Sequence, residues 1–259
     1  MSEPPVGELG GCPKIGLVSF TTNEILIGGV LSTKWFRLRR VAFWHRQMDV
    51  KSMFASREDA GQQLARLLKH QGVQADLVLG LPRGGVVVAA EVARLLCLPL
   101  GVLIVRKIGH PLHREFAVGA LAEGGVVVLD EAVIGTNPII RSELAEVIEE
   151  EKERLHGYES RFHQDGAVNL DGKTVLLVDD GLATGATTEA AVLSGRKQNA
   201  GRIIVVAPVA STNAVERLQR VADDVLVLLE DPDFDAVGRY YQVFSQTTDE
   251  EVLGLLQVA

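Results

Sequence analysis

Buried strands constrain this chain more than any other feature. Six segments read as strands: residues 76–81, 100–105, 125–129, 174–178, 203–209 and 225–229. Four of them are continuous apolar runs, not alternating ones. A strand with no polar face must be covered on both sides. Helical patterns at 56–69, 84–96, 140–156, 187–198 and 213–221 supply the cover, with Ser56 a candidate cap for the first. Regular alternation of strand and helix predicts an α/β fold: a doubly wound, mainly parallel sheet that binds ligands at the carboxyl ends of its strands.

Residues 1–51 do not share this period. They hold seven basic and four acidic residues and both tryptophans, in a chain of 259 residues with net charge −8. We therefore expect a boundary near residue 52, with residues 1–52 an N-terminal extension and residues 53–259 the main domain. An acidic chain with 5% aromatic residues lacks the basic footprint and stacking surface for nucleic acid. No apolar run reaches the length that spans a bilayer, so no membrane partner is expected. Cys12 and Cys97 fit no metal spacing and no disulfide framework, and Cys97 lies in an apolar run as an expected core thiol; a cytoplasmic protein is the plain reading.

The chemistry concentrates in residues 174–188, TVLLVDDGLATGATT. A buried strand ends in Asp179 and Asp180. The loop Gly181, Leu182, Ala183, Thr184, Gly185 then enters a helix through Ala186 and Thr187. Small residues admit backbone N–H groups to an anion, the helix N-terminus adds partial positive charge, and Thr184, Thr187 and Thr188 add hydroxyls. No lysine follows the second glycine, so this is not a Walker A loop. Carboxylates beside a phosphate site make sense if they accept from sugar hydroxyls, which suggests a ribose 5-phosphate. The plain alternative is a strand–turn–helix with two solvated acids.

This segment resembles the signature of type I phosphoribosyltransferases, which bind 5-phosphoribosyl 1-pyrophosphate (PRPP). Residues 80–85, GLPRGG, resemble that family's pyrophosphate loop, including Arg83, Gly84 and Gly85. Val105, Arg106 and Lys107 stand where the family often carries a basic residue. Residues 108–119 match its mobile closing loop, and residues 231–241 the start of its hood. The resemblance implies a magnesium-dependent transfer of the phosphoribosyl group to a nitrogenous base or amine, releasing pyrophosphate. In it Arg83, Lys107 and Asp180 are catalytic. Arg106, Asp179, Asp180, Gly84, Gly85, Gly181 and the loop from Ala183 to Thr187 bind substrate. Asp179 and Asp180 stand nearest Mg²⁺. It also implies a homodimer and a cis peptide near Pro82 and Arg83. Hypoxanthine–guanine types carry an aspartate at the position of Ala183, whereas adenine and uracil types carry alanine.

Two rivals stand beside that reading: a regulatory protein that binds PRPP or a nucleotide without catalysis, and a sugar-phosphate enzyme that does not use PRPP. Read without the resemblance, residues 108–116 form a polar loop whose His110 and His113 lack a third metal ligand. Glu143, Glu146, Glu149, Glu150, Glu151 and Glu153 read as a solvated helix face. Phe234, Tyr240 and Tyr241 either stack on an acceptor or pack the hood.

Overall fold

Strand β6, Thr174–Val178, shows how the chain is organised. Its residues are apolar on both faces, and the two faces serve different cores. Val175 and Leu177 join one cluster, while Leu176 and Val178 join another. The same division runs through β1, Leu77–Gly80, and β7, Arg202–Ser211. Leu77 and Leu79 face one way and Val78 the other; Ile203 and Val205 oppose Ile204 and Val206. The period-2 geometry of a strand thus sorts an unbroken apolar run into two cores.

A computed structural model describes residues 53–130, 134, 138–164 and 166–258. The expected extension, residues 1–52, lies outside the described residues. Five parallel strands form the main sheet in the order β2–β1–β6–β7–β8, where β2 is Leu100–Val102 and β8 is Asp224–Asp231. Helices α1, Arg57–His70, and α2, Gly84–Leu96, cover one face through Leu64, Leu68, Val88 and Val92. Helices α4, Ala186–Lys197, and α5, Thr212–Leu218, cover the other through Ala190, Val192, Val215 and Leu218. The Ser56 side chain caps α1 by accepting from Asp59 N–H, as expected. Among the described residues no helix is long and apolar enough to cross a membrane.

Three sequence expectations are corrected. The run 100–105 is not one strand: β2 ends at Val102, and Val105 starts β3, Val105–His110, in a separate sheet. Residues 108–116 are not a loop. They belong to a hairpin of β3 and β4, His113–Ala122, which pairs in turn with β5, Val126–Leu129. Register shifts around Gly109 break the alternation that would have marked a strand. At its tip Leu112 is 68% and Phe116 55% exposed. Cys97 is no core thiol: it ends α2 in the left-handed region (φ 55°) and is exposed.

Helix α3, Pro138–Phe162, packs Leu144, Val147 and Leu155 into a third cluster with β3 and β4. It leads to His163, whose Nε2 lies 2.8 Å from Glu123 Oε1. That same oxygen accepts Ile104 N–H at 2.6 Å, and Glu123 is buried. The bond to Glu123 raises the His163 pKa above its ordinary value, against the opposing effect of burial. A folded-state pKa above the unfolded one stabilises the fold below about pH 6.5, and the gain is lost as pH rises through the folded value. His163→Ala is therefore expected to cost about 1.5–3 kcal/mol at pH 6, the range for a bond to a charged group, and less at pH 9. Urea unfolding of both proteins at the two pH values measures this; a constant difference would contradict it.

The last helix, α6, Asp249–Val258, was not foreseen. Its start carries a reciprocal cap: Thr248 Oγ1 accepts Glu251 N–H at 3.1 Å, and Glu251 Oε2 accepts Thr248 N–H at 2.7 Å.

Candidate functional site

The carboxyl ends of β1 and β6 are adjacent, since Gly80 pairs with Val178. Two segments about a hundred residues apart in sequence therefore leave the sheet side by side. The first, residues 81–85, opens α2, and its Pro82–Arg83 peptide is cis, as the family resemblance implies. The second carries Asp179 and Asp180. They meet without space to spare. A Cβ on Gly84 would lie 2.0 Å from Asp180 Oδ2, and one on Gly85 would lie 2.9 Å from Asp179 Cα. Glycine at both positions is thus required by close approach.

The two carboxylates differ in environment. Asp179 Oδ1 accepts Asp180 N–H at 2.9 Å, and Oδ2 accepts the Thr188 hydroxyl at 3.4 Å. Burial first, and the Asp180 charge second, push the Asp179 pKa up to about 8, while Lys107 acts to lower it. Asp180 instead meets a cation: Arg57 Nε donates to its Oδ2 at 2.8 Å. Tyr241 Oη donates to the Asp180 carbonyl at 2.5 Å, and burial raises the tyrosine pKa strongly.

Beyond Asp180, Gly181 runs beneath the hood, where a Cβ would lie 2.6 Å from Val237 Cγ1. Leu182 N–H donates to the Val209 carbonyl at 2.9 Å, and the Ser211 hydroxyl donates to the Ala183 carbonyl at 2.5 Å. The loop is thereby held against the end of β7. Ala183 and Thr184 are exposed, and Gly185 enters α4 at φ 73°, where a side chain would be strained. Gly185, at the N-cap of α4, has no side chain to cap it, and Ala186 N–H meets only the Thr184 hydroxyl at a long 3.4 Å, so this helix terminus is suited to an anion. Ala183 and Thr184 also line a neighbouring cavity of about 510 Å³ with Arg217 and Arg220. Thr188 does not join the phosphate donors expected of it; it is buried and serves Asp179.

The basic residues divide. Neighbouring strand residues point to opposite faces, and Lys107 acts on Asp179 while Arg106 donates to Glu151 Oε2 at 2.9 Å and lies over the Tyr158 ring. Glu151 is buried, so the expectation of an all-solvated acidic face on α3 is corrected at that residue. Arg83 Nη1 lies 3.6 Å from Asp249 Oδ1. The structure thus gathers Gly84, Gly85, Asp179 and Asp180, leaves Lys107 exposed but within electrostatic reach of Asp179, and pairs the side chains of Arg83 and Arg106 with other acids. Phe234, Tyr240 and Tyr241 pack the hood: Phe234 stacks on Tyr240 at 5.3 Å, and Tyr241 lies 5.4 Å from Phe54 in a buried cluster.

Arg57 was missed. It is a cation in the first turn of a helix, where the macrodipole favours acids such as its neighbours Glu58 and Asp59. That conflict was the available signal of a tertiary role.

Among the described residues no group of three or more His, Cys, Asp or Glu side chains converges as a metal site. Two adjacent carboxylates are nonetheless hard oxygen donors, which fits magnesium, an ion that takes few protein ligands and keeps water and substrate oxygens.

A parallel sheet with a carboxylate pair and a glycine-led helix start at its strand ends defines a doubly wound α/β protein of the phosphoribosyltransferase fold. Residues 56–241 match the phosphoribosyl transferase domain, and the chain belongs to that family. Proteins of two Mycobacterium tuberculosis strains, provisionally named phosphoribosyl transferases, are 40% identical over 208 residues, 80% of this chain. The chain spans about half the length of those relatives, 47%. It is also similar to TT1426 of Thermus thermophilus, at 43% identity and a TM-score of 0.66, over 78% of this chain and 97% of that one.

Proposed function

We propose that this protein transfers the 5-phosphoribosyl group of PRPP to a nitrogenous acceptor and releases pyrophosphate. The observation that carries this reading is the close approach of Gly84 and Gly85 to Asp180 and Asp179, which brings the two segments that resemble the PRPP-binding loops together. Asp180, with Asp179, accepts from the ribose hydroxyls. The loop from Ala183 to Thr187 holds the 5-phosphate through backbone N–H groups and Thr184. The backbone of residues 83–85 faces the pyrophosphate, and Lys107 adds positive charge. Asp179 and Asp180 would hold Mg²⁺, which would supply positive charge against the diphosphate.

Positive charge develops at C1′ as the C1′–O bond to pyrophosphate breaks, and the acceptor nitrogen supplies the new bond. Positioning and electrostatics account for such a step without a covalent intermediate. One ion pair at 4 Å gives about 1 kcal/mol in water but about 4 kcal/mol at an effective dielectric of 20. For an acidic protein that difference matters, and closure of the β3–β4 hairpin over the ligand would supply it. Its exposed Leu112 and Phe116 are apolar surface available for burial in a closed state.

The test is a panel of adenine, uracil, hypoxanthine and guanine with PRPP and Mg²⁺, followed as pyrophosphate release. Ala183 offers no titratable group to a purine, and general acid–base help is worth typically 10²–10⁴-fold. We therefore expect kcat/KM for hypoxanthine and guanine to fall below that for adenine or uracil. PRPP binding with no pyrophosphate release from any acceptor would favour a regulatory protein, and ribose 5-phosphate binding as tightly as PRPP would favour a different sugar-phosphate enzyme.

We also propose that residues 53–259 form the catalytic domain and that residues 1–52 are dispensable. Phe54 is fully buried, and its N–H donates to the Tyr240 carbonyl at 2.9 Å, so among the described residues the packing against the hood includes Phe54. A chain starting at Met53 should fold and bind PRPP. A melting temperature lowered by more than about 10 °C, several kcal/mol for a domain this size, would overturn this.

A further inference from the structure

Arg57 makes more directed contacts than any cap residue needs. Its Nε donates to Asp180 Oδ2 at 2.8 Å, its Nη1 donates to the Ser245 carbonyl at 2.7 Å, and its guanidinium carbon lies 3.9 Å from the centre of the Phe244 ring. The Arg57 side chain is only 10% exposed and the Asp180 side chain 16%. A planar guanidinium can satisfy these three demands together: two N–H donors diverge in its plane while its face lies on the ring. Lysine, with one ammonium, cannot. The position of the group is also fixed from behind, because a Cβ on Gly84 would lie 2.7 Å from Arg57 Nε.

We propose that Arg57 is a positioning residue for PRPP that acts through Asp180. This rests on the reading of Asp180 as a ribose ligand. A carboxylate at the end of a strand can rotate about its side-chain bonds, and a freely rotating acceptor loses part of its binding energy to ordering. Arg57 occupies Oδ2, which sets the plane of the carboxylate before the ligand arrives and leaves Oδ1 as the oxygen presented to a hydroxyl. Preorganisation of this kind strengthens binding without adding a contact to the ligand. The second bond, to Ser245, and the stacking on Phe244 tie the same guanidinium to the segment that follows the hood. The ribose carboxylate, the first turn of α1 and residues 244–245 are thus held by one side chain. Arg57 is not placed to touch the reacting atoms, so its removal should weaken PRPP binding while kcat at saturating PRPP changes little.

The test is a double-mutant cycle read by calorimetry of PRPP with Mg²⁺, on the full chain, for the native protein, Arg57→Ala, Asp180→Asn and the double variant. A residue that acts through another loses its effect when that other is already disabled. We expect Arg57→Ala to weaken PRPP binding about tenfold in the native background and less than twofold in the Asp180→Asn background. Equal losses in both backgrounds, or no loss in the native one, would overturn the proposal. Should Arg57→Ala fail to fold, Arg57→Lys carries the same cycle, with a smaller native-background loss that again vanishes once Asp180→Asn is present. If Asp180→Asn alone leaves PRPP binding unchanged, the ribose assignment fails and Arg57 falls with it. If Asp180→Asn weakens binding and Arg57 variants do not, only the role of Arg57 fails.

Discussion

Gly84→Ala is expected to weaken PRPP binding by about a hundredfold or more. The added methyl would stand 2.0 Å from Asp180 Oδ2 and 2.7 Å from Arg57 Nε, distances that no van der Waals contact tolerates. The backbone has little room to retreat, because the next residue is already packed against Val178 and Asp179. The side chains must therefore move, which breaks the 2.8 Å bond between Arg57 and Asp180 and turns the carboxylate away from the ligand. Two bonds to charged groups, at about 1.5–3 kcal/mol each, account for the loss. Thermal unfolding and PRPP calorimetry of the same sample measure it. Binding within threefold of the native protein would mean that PRPP does not lie against this contact.

Asp180→Asn should weaken PRPP binding by about ten- to a hundredfold and leave the melting temperature within a few degrees. Asparagine keeps the shape and one carbonyl oxygen, so Arg57 retains an acceptor, and its bond to Ser245 and its stacking on Phe244 are untouched. What disappears is the charge that strengthens a bond from a ribose hydroxyl, worth about 1.5–3 kcal/mol. Calorimetry with PRPP and Mg²⁺ gives the affinity, and a thermal melt shows whether the fold is intact. A large drop in melting temperature with unchanged PRPP affinity would make Asp180 a structural partner of Arg57 and nothing more.

The parts of the site that could be read from sequence are those confined to one short segment. Asp179, Asp180 and the small residues after them announce an anion-accepting helix start because strand, turn and helix follow one another without interruption. Gly84 and Gly85 were legible as residues that permit close approach, though not what they approach. Arg83, Arg106 and Lys107 looked alike as basic residues beside strand ends. Their directions separate them: Lys107 acts on Asp179, Arg106 is bound by the buried Glu151, and Arg83 lies near Asp249 on a helix that gave no early sign of itself. Glu151 was hidden because a single buried acid in a run of exposed ones does not disturb the charge pattern of the helix.

The hairpin shows the same division. Residues 108–116 hold two histidines, a proline and a bulged glycine, and nothing local marks them as strands; they pair because β4 returns along β3 and β5 completes the sheet. Sequence alone determined that this chain builds a two-faced parallel sheet, since an unbroken apolar strand has no other stable environment, and that an acid pair and a glycine-rich turn stand at the end of one strand. Only the tertiary structure decided which distant residues meet there. Arg57 and Tyr241 come to Asp180 from elements separated from it by 123 and 61 positions, and contacts at such separations leave no periodic trace, because they are set by how whole elements pack and not by how neighbouring residues repeat.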